Sequence, residues 1–596
     1  MHDRIEWLVG AQSRSNTQCT VKAFGDVLDR DFVGERPVAA GVDHPDVVAA
    51  LLEDALPHIE RGAIIGISVD EDNWIARHWR KYTNGRSRRS TKKRNSIFVT
   101  MKPTHALPTT DSTATKAPPA ADMSPAEFRK HGHAVIDWIA DYLESPDKWP
   151  VLPAVRPGDV RAMLPQSPPE RGESMEEILS DFQRIIVPST THWNHPAFMA
   201  YFANSSTGAG VLGEALTAAL NVNAMLWRTS PAATELELLT MDWLRQMLGL
   251  PENFFGVIAD TASSNTLYAL AAARELHPEF RLREEGMSGR ADLPRMVVYC
   301  SEEAHSSVDK AVMTLGFGLE ALRKIPTDSA LRMEPRALVT EIEHDRRLGR
   351  VPLAVVATVG TTSTTAIDPV AAIAEICDRQ KMWLHVDASY GGTAAILPEM
   401  RHVLNGCDRA DSLVVNPHKW LFTPMDCSAL YTRRPDLLKR AFQHIPDYLV
   451  VNEGDGVANL MHYGIALGRR FRALKLWFVI RSFGVEGLRS LIREHIRIAR
   501  QLSEWIDDDP ELERMADVNF STVVFRHCPS GMGGSELDDH NARLLQDVLE
   551  RREVYLSHTR VRGSYALRIA IGNIHTTEAH IRTALELIKE AARISG

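Results

Sequence analysis

The chain of 596 residues has little cysteine. Its six thiols (Cys19, Cys300, Cys377, Cys407, Cys427 and Cys528) are scattered, with no CxxC and no metal-ligand spacing. That excludes a disulfide scaffold and a zinc module, leaves no expected metal site, and points to reduced thiols in a cytoplasmic setting. No run of about 18 apolar residues occurs, so no membrane-spanning helix is expected. The opening MHDRIEWLVGAQSRSNTQC puts acidic and polar residues where a secretory signal requires an apolar stretch. Charge of one sign is not in large excess either. Sixty-eight Lys and Arg against 77 Asp and Glu leave a net charge of -9, which disfavours the whole chain as a general nucleic-acid binder. No internal repeat is present. What is there is 44% hydrophobic residues in a chain long enough to bury a large core without cross-links. The expectation is a large enzyme or regulator.

Charge is uneven along the chain. From Arg77 to Arg94 nine residues are basic (Arg77, Arg80, Lys81, Arg86, Arg88, Arg89, Lys92, Lys93, Arg94) and none is acidic. Met101 to Asp122 is Pro/Thr/Ala-rich and cannot pack a core. Residues 1–122 therefore read as a basic, partly disordered extension and linker. They are either a separate module or an over-extended start whose initiator is Met101 or Met123. The basic run could grip nucleic acid, but only Trp79 and Tyr82 could stack on bases, so a solvated tail is the better reading. At Ser124-Pro125-Ala126-Glu127 an N-cap with Pro at the first helical position predicts a helix. Its apolar positions Phe128, Val135, Ile136 and Ile139 need a partner surface, and residues 123–208 read as a helical dimerisation segment. Within it Pro150 to Pro169 reads as irregular and Ser174 to Ile186 as helix. Over 209–482, β-branched runs (Met296–Tyr299, Leu353–Val359, Trp383–Val386, Ser412–Val415) alternate with helical stretches such as Pro369–Arg379. That alternation specifies a doubly wound, mainly parallel sheet. A long helix follows Gly468. Residues 483–596 mix helices with DVNFSTVVFRH and YALRIAIG, edge or antiparallel strands of a smaller α+β domain.

The chemistry gathers at strand ends. SLVVNPHKW, Ser412 to Trp420, is a buried strand followed at its carboxyl end by Asn416, His418 and Lys419. Ligands in open α/β sheets bind at that end. A lysine there is either an ordinary surface residue or an amine desolvated enough to be a nucleophile. A second strand, in WLHVDASYGG, ends in Asp387, 32 residues before Lys419, about one crossover unit. Asp387 either caps its own turn or awaits a cationic heterocycle. A lysine amine for an aldehyde and an aspartate to keep a ring nitrogen protonated are what pyridoxal 5'-phosphate requires. Thr261-Ala262-Ser263-Ser264 opens a helix, either as simple capping or as a cradle of N–H and hydroxyl donors for a phosphate. His305, in SEEAHSSVDKA, lies at a strand-to-helix turn, as a polar loop residue or as a ring stacked on a planar cofactor. Gly360-Thr361-Thr362 marks a further strand end.

The segments HPAFMAYF, SPAATELE, DTASSNTLYALAAAR, EEAHSSVDKA, VGTTSTTAID, LHVDASYGG, NPHKWLFTPMDCSAL and LGRRFRALKLWFV follow one another in this chain. In that order and spacing they resemble the group II pyridoxal-phosphate decarboxylases, and within them the aromatic-L-amino-acid decarboxylase family. The resemblance runs from about Ser124 to the end. It implies pyridoxal-phosphate fold type I, an α/β architecture with a large doubly wound mainly parallel sheet domain and a smaller C-terminal α+β domain. It also implies a homodimer with active sites at the subunit interface. Lys419 would carry the cofactor, Asp387 would pair with its ring nitrogen, His305 would stack on the ring and Thr362 would lie near its other substituents. Thr261, Ala262, Ser263 and Asn416 would hold the phosphate, with His418 beside the lysine. Tyr448, in AFQHIPDYL, matches a mobile-loop tyrosine that delivers a proton to the α-carbon. Trp193 and Tyr201 match positions lining the substrate pocket.

The chain departs from the pattern in two places. Ala203-Asn204 stand where animal members carry Pro-Thr, and Asn223 and Met225 replace the apolar pair that reaches across the dimer. Gly468 stands where plant relatives carry Gly with indole substrates and Ser with phenols, while animal relatives with Gly take dihydroxyphenylalanine. The expected reaction is decarboxylation of tryptophan, dihydroxyphenylalanine, tyrosine or phenylalanine to the arylethylamine and CO2. A relative acting on acidic amino acids is disfavoured by Trp193 and Met225 and by the lack of an evident additional arginine for a side-chain carboxylate. An aldehyde synthase is associated in the family with Phe at the position of Tyr448. A cofactor-binding regulator led by the basic segment is the reading from another class.

Overall fold

The computed structural model describes residues 122–444 and 457–595, together with three strands nearer the N-terminus. The chain divides into two compact units, Met1–Asp122 and Met123–Gly596. In the first, β1 (Ile5–Val9), β2 (Cys19–Phe24) and β3 (Ile64–Ile67) pair antiparallel in that order. The basic run and the Pro/Thr/Ala stretch as far as residue 121 lie outside the described residues.

The second unit is built on a seven-stranded sheet. Its strands are β4 (Phe255–Ala259), β5 (Met296–Ser301), β6 (Leu322–Ile325), β7 (Val351–Thr358), β8 (Trp383–Asp387), β9 (Ser412–Val415) and β10 (Ser428–Thr432). Their spatial order is β4-β10-β9-β8-β7-β5-β6, and only β10 runs against its neighbours. Every residue of β5, β8 and β9 is buried. In β5, Val297 and Tyr299 enter one core while Met296, Val298 and Cys300 enter another on the opposite face. A strand covered by helices on both faces needs such a near-continuous apolar run, which is why β-branched residues cluster there. Parallel alignment brings the carboxyl ends of β4, β5, β7, β8 and β9 to one edge. The register sets Thr358, Asp387 and Val414 abreast there. Gly391, just beyond β8, permits a close approach. A Cβ on it would lie 2.6 Å from the Val359 carbonyl oxygen and 2.7 Å from the Phe520 ring.

A four-stranded antiparallel sheet forms the smaller part, in the order β11 (Leu512–Arg514), β12 (Thr522–His527), β14 (Ser564–Ala570), β13 (Ser557–Val561). The two strands read from the sequence, β12 and β14, are its central pair. Helices Gly534–Glu550 and Glu578–Ser595 complete its core with Leu544, Val548, Ile581 and Ile588. The long helix Ala473–Asp507 ties the two cores together. Leu476 and Val479 pack into the large core and Ile498, Leu502 and Ile506 into the small one, with a break at Gly484 (φ 63°) between them.

Nearer the start, Ser124 caps Pro125–Glu144 through a reciprocal capping box with Glu127. The helix predicted over Ser174–Ile186 is shorter. It ends at Asp181 and passes through one π-helical turn, Phe182–Ile186, closed by the Val187 N–H on the Phe182 carbonyl; Pro188, which has no N–H, then lies in a short 3-10 turn. The stretch 150–169 is not wholly irregular, since it holds a short helix, Asp159–Met163, whose Asp159 carboxylate accepts the Arg156 N–H.

Candidate active site

Lys419 lies in the single turn Pro417–Trp420 that follows β9. Its surroundings hold the amine below the ordinary lysine value, first through burial; the charge of Arg568 adds to this and that of Asp387 opposes it. A neutral amine is the form that attacks a carbonyl carbon. Asp387 closes β8 and is buried. Its Oδ1 accepts both the Ser389 N–H (3.1 Å) and the Ser389 hydroxyl, which leaves Oδ2 as the open acceptor. Behind it on the same strand, buried His385 pairs with Ser412 Oγ at 2.8 Å, and burial holds its pKa at about 4, so the ring is neutral.

His418 is also buried. Its Nδ1 accepts the Cys427 N–H at 3.0 Å, so the proton of the neutral ring sits on Nε2. Burial, then the charge on Lys419, lowers its pKa to about 4. Asn416 is fixed from the side: its Oδ1 accepts the Ser428 hydroxyl at 2.6 Å, and Ser428 in turn accepts Asn265 Nδ2 at 2.8 Å. Beyond β4, Thr261 caps helix Ala262–Arg274 and accepts the Ser264 N–H. The N–H groups of Ala262 and Ser263 have no intrahelical acceptor, which makes this a site for an anion. His305 follows β5. Its Nδ1 accepts the Ser307 N–H at 3.1 Å, its side chain is exposed, and its pKa lies below the ordinary histidine value, first through partial desolvation, with the charges of Asp387 and Lys419 acting in opposite senses. Of the two threonines beyond β7, Thr361 is buried and structural, accepting the Ala366 N–H at 3.0 Å, while Thr362 is exposed.

The expected pocket residues separate into two groups. Trp193 and Tyr201 join Phe198 and Tyr555 in an aromatic wall, with ring centroids of Trp193 at 4.3 Å from Phe198 and 6.2 Å from Tyr201. The Tyr201 and Tyr555 hydroxyls meet at 3.1 Å. Asn223, Met225 and Gly468 gather elsewhere: Asn223 Nδ2 donates to Met225 Sδ, and Asn223 Oδ1 accepts the N–H of Arg469, next to Gly468. Tyr448 lies outside the described residues.

Sequence reasoning missed Arg568. This side chain is 5% exposed on β14, a central strand of the small sheet. Its signal was present as one cation inside the apolar run YALRIAIG, where a strand core has no use for a charge.

A buried amine whose proton affinity is lowered, a buried carboxylate with one free oxygen, and a helix start with unpaired N–H groups are the groups that pyridoxal 5'-phosphate takes, so the residues present fit it. Fold and site together define a pyridoxal-phosphate enzyme of fold type I. Residues 157–528 match the family model described as the pyridoxal-dependent decarboxylase conserved domain. Tyrosine decarboxylase 3 of Petroselinum crispum is 40% identical over 488 residues, covering 80% of this chain and 93% of its own. A phenylacetaldehyde synthase of a Rosa hybrid cultivar is 41% identical over 488 residues, 79% of this chain and 95% of its own. The crystal structure of Oryza sativa TDC with PLP and tryptamine shares 36% identity and a TM-score of 0.76, covering 80% of this chain and 99% of that one. The chain belongs to the pyridoxal-dependent decarboxylases, within their aromatic-L-amino-acid decarboxylase family. It is a carboxy-lyase whose cofactor is pyridoxal 5'-phosphate.

Proposed function

We propose that the protein removes CO2 from an aromatic L-amino acid to give the arylethylamine. The observation that carries this reading is the aromatic wall of Trp193, Phe198, Tyr201 and Tyr555, tied through Arg568 to the surroundings of Lys419. Bound pyridoxal phosphate supplies an electron sink for the α-carbon. Lys419 would hold its aldehyde carbon, Asp387 Oδ2 would accept its ring N–H, and His305 would cover the ring face. Thr362 would sit beside the ring's other substituents. Thr261, the N–H groups of Ala262 and Ser263, and the Asn416 amide would hold its phosphate. His418 Nε2–H would donate beside the lysine. The aromatic wall excludes water from the reacting carbon, and Tyr448 delivers the proton that replaces the carboxylate. A panel of L-tryptophan, L-tyrosine, L-phenylalanine, dihydroxyphenylalanine and L-glutamate, with products identified by mass spectrometry, tests it. The expected result is arylethylamine from one or more aromatic acids; turnover of glutamate alone overturns it. The likeness to a phenylacetaldehyde synthase supports a second reading, in which aldehyde is released, and Tyr448 favours the amine.

The same reading includes a cytoplasmic homodimer. Leu212, Leu216 and Leu220 form one stripe of helix Gly208–Leu220 and are 51%, 48% and 59% exposed in a single chain. Phe128 is 67% exposed, and helix Pro125–Glu144 buries no residue. Apolar stripes of this kind mark subunit contacts. We assign subunit contact to 123–208, cofactor binding to 209–482 and the small domain to 483–596, and we place Asn223, Met225 and Gly468 at the partner's substrate site. Four described thiols are buried and unpaired, in keeping with a reducing compartment. Among the described residues no helix is long and apolar enough to cross a membrane. Sedimentation at micromolar concentration should give a dimer mass; a fully active monomer contradicts the interface.

A further inference from the structure

Because β10 runs against its neighbours in the large sheet, its first residue lies where the parallel strands end. Ser428 opens β10 abreast of Ala259, the last residue of β4, and the next residue, Ala429, is abreast of Val415, the last residue of β9. The two strand ends lead into different halves of the anion site, β4 into Thr261, Ala262 and Ser263, and β9 into Asn416. Ser428 stands between the halves. Helix Ala262–Arg274 reaches it with Asn265. The backbone N–H of that residue donates to the Thr261 carbonyl at 3.1 Å, and its Nδ2 donates to Ser428 Oγ at 2.8 Å. Asn265, Ser428 and Asn416 are all buried.

The direction of this relay follows from counting protons. A hydroxyl has one proton to donate, and an amide oxygen has none. Ser428 accepts from Asn265, so its single proton goes to Asn416 Oδ1, at 2.6 Å. The oxygen of Asn416 is thereby engaged, and its NH2 is the end left to donate. The reverse order would turn that NH2 to Ser428 and leave the Asn416 oxygen to meet an anion. It would also put the NH2 of Asn265 where Asn265 Oδ1 has no partner, and buried N–H groups without a partner are rarer than such carbonyls.

We propose that Asn265 and Ser428 are positioning residues for the cofactor phosphate, holding the Asn416 amide with its NH2 toward the phosphate and its oxygen away. This rests on the reading of Asn416 as a phosphate ligand. The relay acts on one end of the cofactor, since its side-chain hydrogen bonds involve neither Lys419 nor Asp387. It distinguishes pyridoxal phosphate from pyridoxal, which has the same ring and aldehyde and no phosphate.

The test uses the full chain, freed of cofactor with hydroxylamine, as wild type, Ser428→Ala, Asn265→Ala and Asn416→Ala. Each is titrated with pyridoxal phosphate and with pyridoxal, and Kd is read from the visible absorbance. In Ser428→Ala, which takes the donor from Asn416 Oδ1, Kd for pyridoxal phosphate should rise about ten-fold, the scale of one weakened hydrogen bond to an anion. Asn265→Ala keeps the serine donor and loses only the bias, so the rise there should be about three-fold. Kd for pyridoxal should change little in both. The ratio of the two Kd values is the readout, because a loss of packing weakens both alike. Equal weakening overturns the proposal in favour of a structural role, and so does an unchanged Kd for pyridoxal phosphate. If Ser428→Ala does not fold, the ratio in Asn265→Ala decides alone, at a helical position that suits alanine. A raised ratio in Asn416→Ala with unchanged ratios in the other two overturns the relay alone. An unchanged ratio in Asn416→Ala overturns Asn416 as a phosphate ligand, and the relay with it.

Discussion

Replacing Gly468 by serine should move substrate preference from indole toward phenol without unsettling the fold. A Cβ built on Gly468 meets only Asn223 Nδ2, at 3.8 Å, an ordinary contact, and the residue is not among the positive-φ glycines. It borders a cavity of about 250 Å³ with Asp260, Ser264, Tyr268 and Arg472, so the hydroxyl has room. Stability should therefore stay within about 0.5 kcal/mol of wild type. A new hydroxyl facing a phenol offers a hydrogen bond worth about 0.5–1.5 kcal/mol net. The space it takes from a bulkier indole costs a comparable amount, since one methylene in a specificity pocket is worth about 1–3 kcal/mol. Together these shift the ratio of kcat/KM for tyrosine over tryptophan by roughly ten- to hundred-fold. The assay is kcat/KM for both acids in wild type and Gly468→Ser, with Tm as the control. A ratio that moves less than twofold at unchanged Tm refutes the placement of Gly468 at a substrate ring.

Lys419→Ala should abolish activity and the visible absorbance of the bound cofactor. Borohydride treatment of the wild type followed by peptide mapping should label Lys419, and a label on another lysine refutes the assignment. Tyr448→Phe should lower amine output by about 10²–10⁴ while cofactor absorbance survives, with aldehyde and peroxide rising instead; unchanged amine output returns Tyr448 to a packing role. Acid should destabilise the fold through four buried histidines, His195, His385, His418 and His495, each held by burial at about 4 against about 6.5 when unfolded. The unfolded chain then takes up protons first as pH falls. Their contribution is complete above about pH 6.5 and is lost as pH drops toward 4, on the order of 1–2 kcal/mol per residue by pH 5. Thermal melts from pH 7.5 to 5 check the direction, and a Tm flat over that range contradicts it.

The large sheet was legible because burial on both faces forces a near-continuous apolar run. Ser412–Val415 was read with its observed ends, and β5, β7 and β8 were displaced by at most two residues. The local devices were legible for the same reason: the Ser124 cap, the Thr261 cap and the turn holding Lys419 are each written in a few adjacent residues. What the sequence withheld depends on how particular backbone and side-chain groups meet in three dimensions, near or far along the chain. The π turn at Phe182 looks like continuing helix until the Val187 N–H closes on the Phe182 carbonyl. The tautomer of His418 depends on Cys427, and the open oxygen of Asp387 depends on how Ser389 folds back. Arg568 is the clearest case. Read along β14 it is one charge in an apolar strand, and it gains meaning only beside Tyr201, 367 positions earlier.

That separation bears on how the reactive amine is poised. With Asp387 as its only charged neighbour, Lys419 would be drawn toward the ammonium form, paired and unreactive. Burial works the other way and is the larger influence, lowering the amine's proton affinity. The charge of Arg568 works with burial and against that of Asp387 at the amine. The two residues come from different sheets. Asp387 closes a strand of the large sheet, and Arg568 lies in the middle of a central strand of the small one. The long helix Ala473–Asp507, shared by both cores, holds the two sheets together. The proton affinity of Lys419 is thus set first by its burial and then by two opposed charges, one from each sheet.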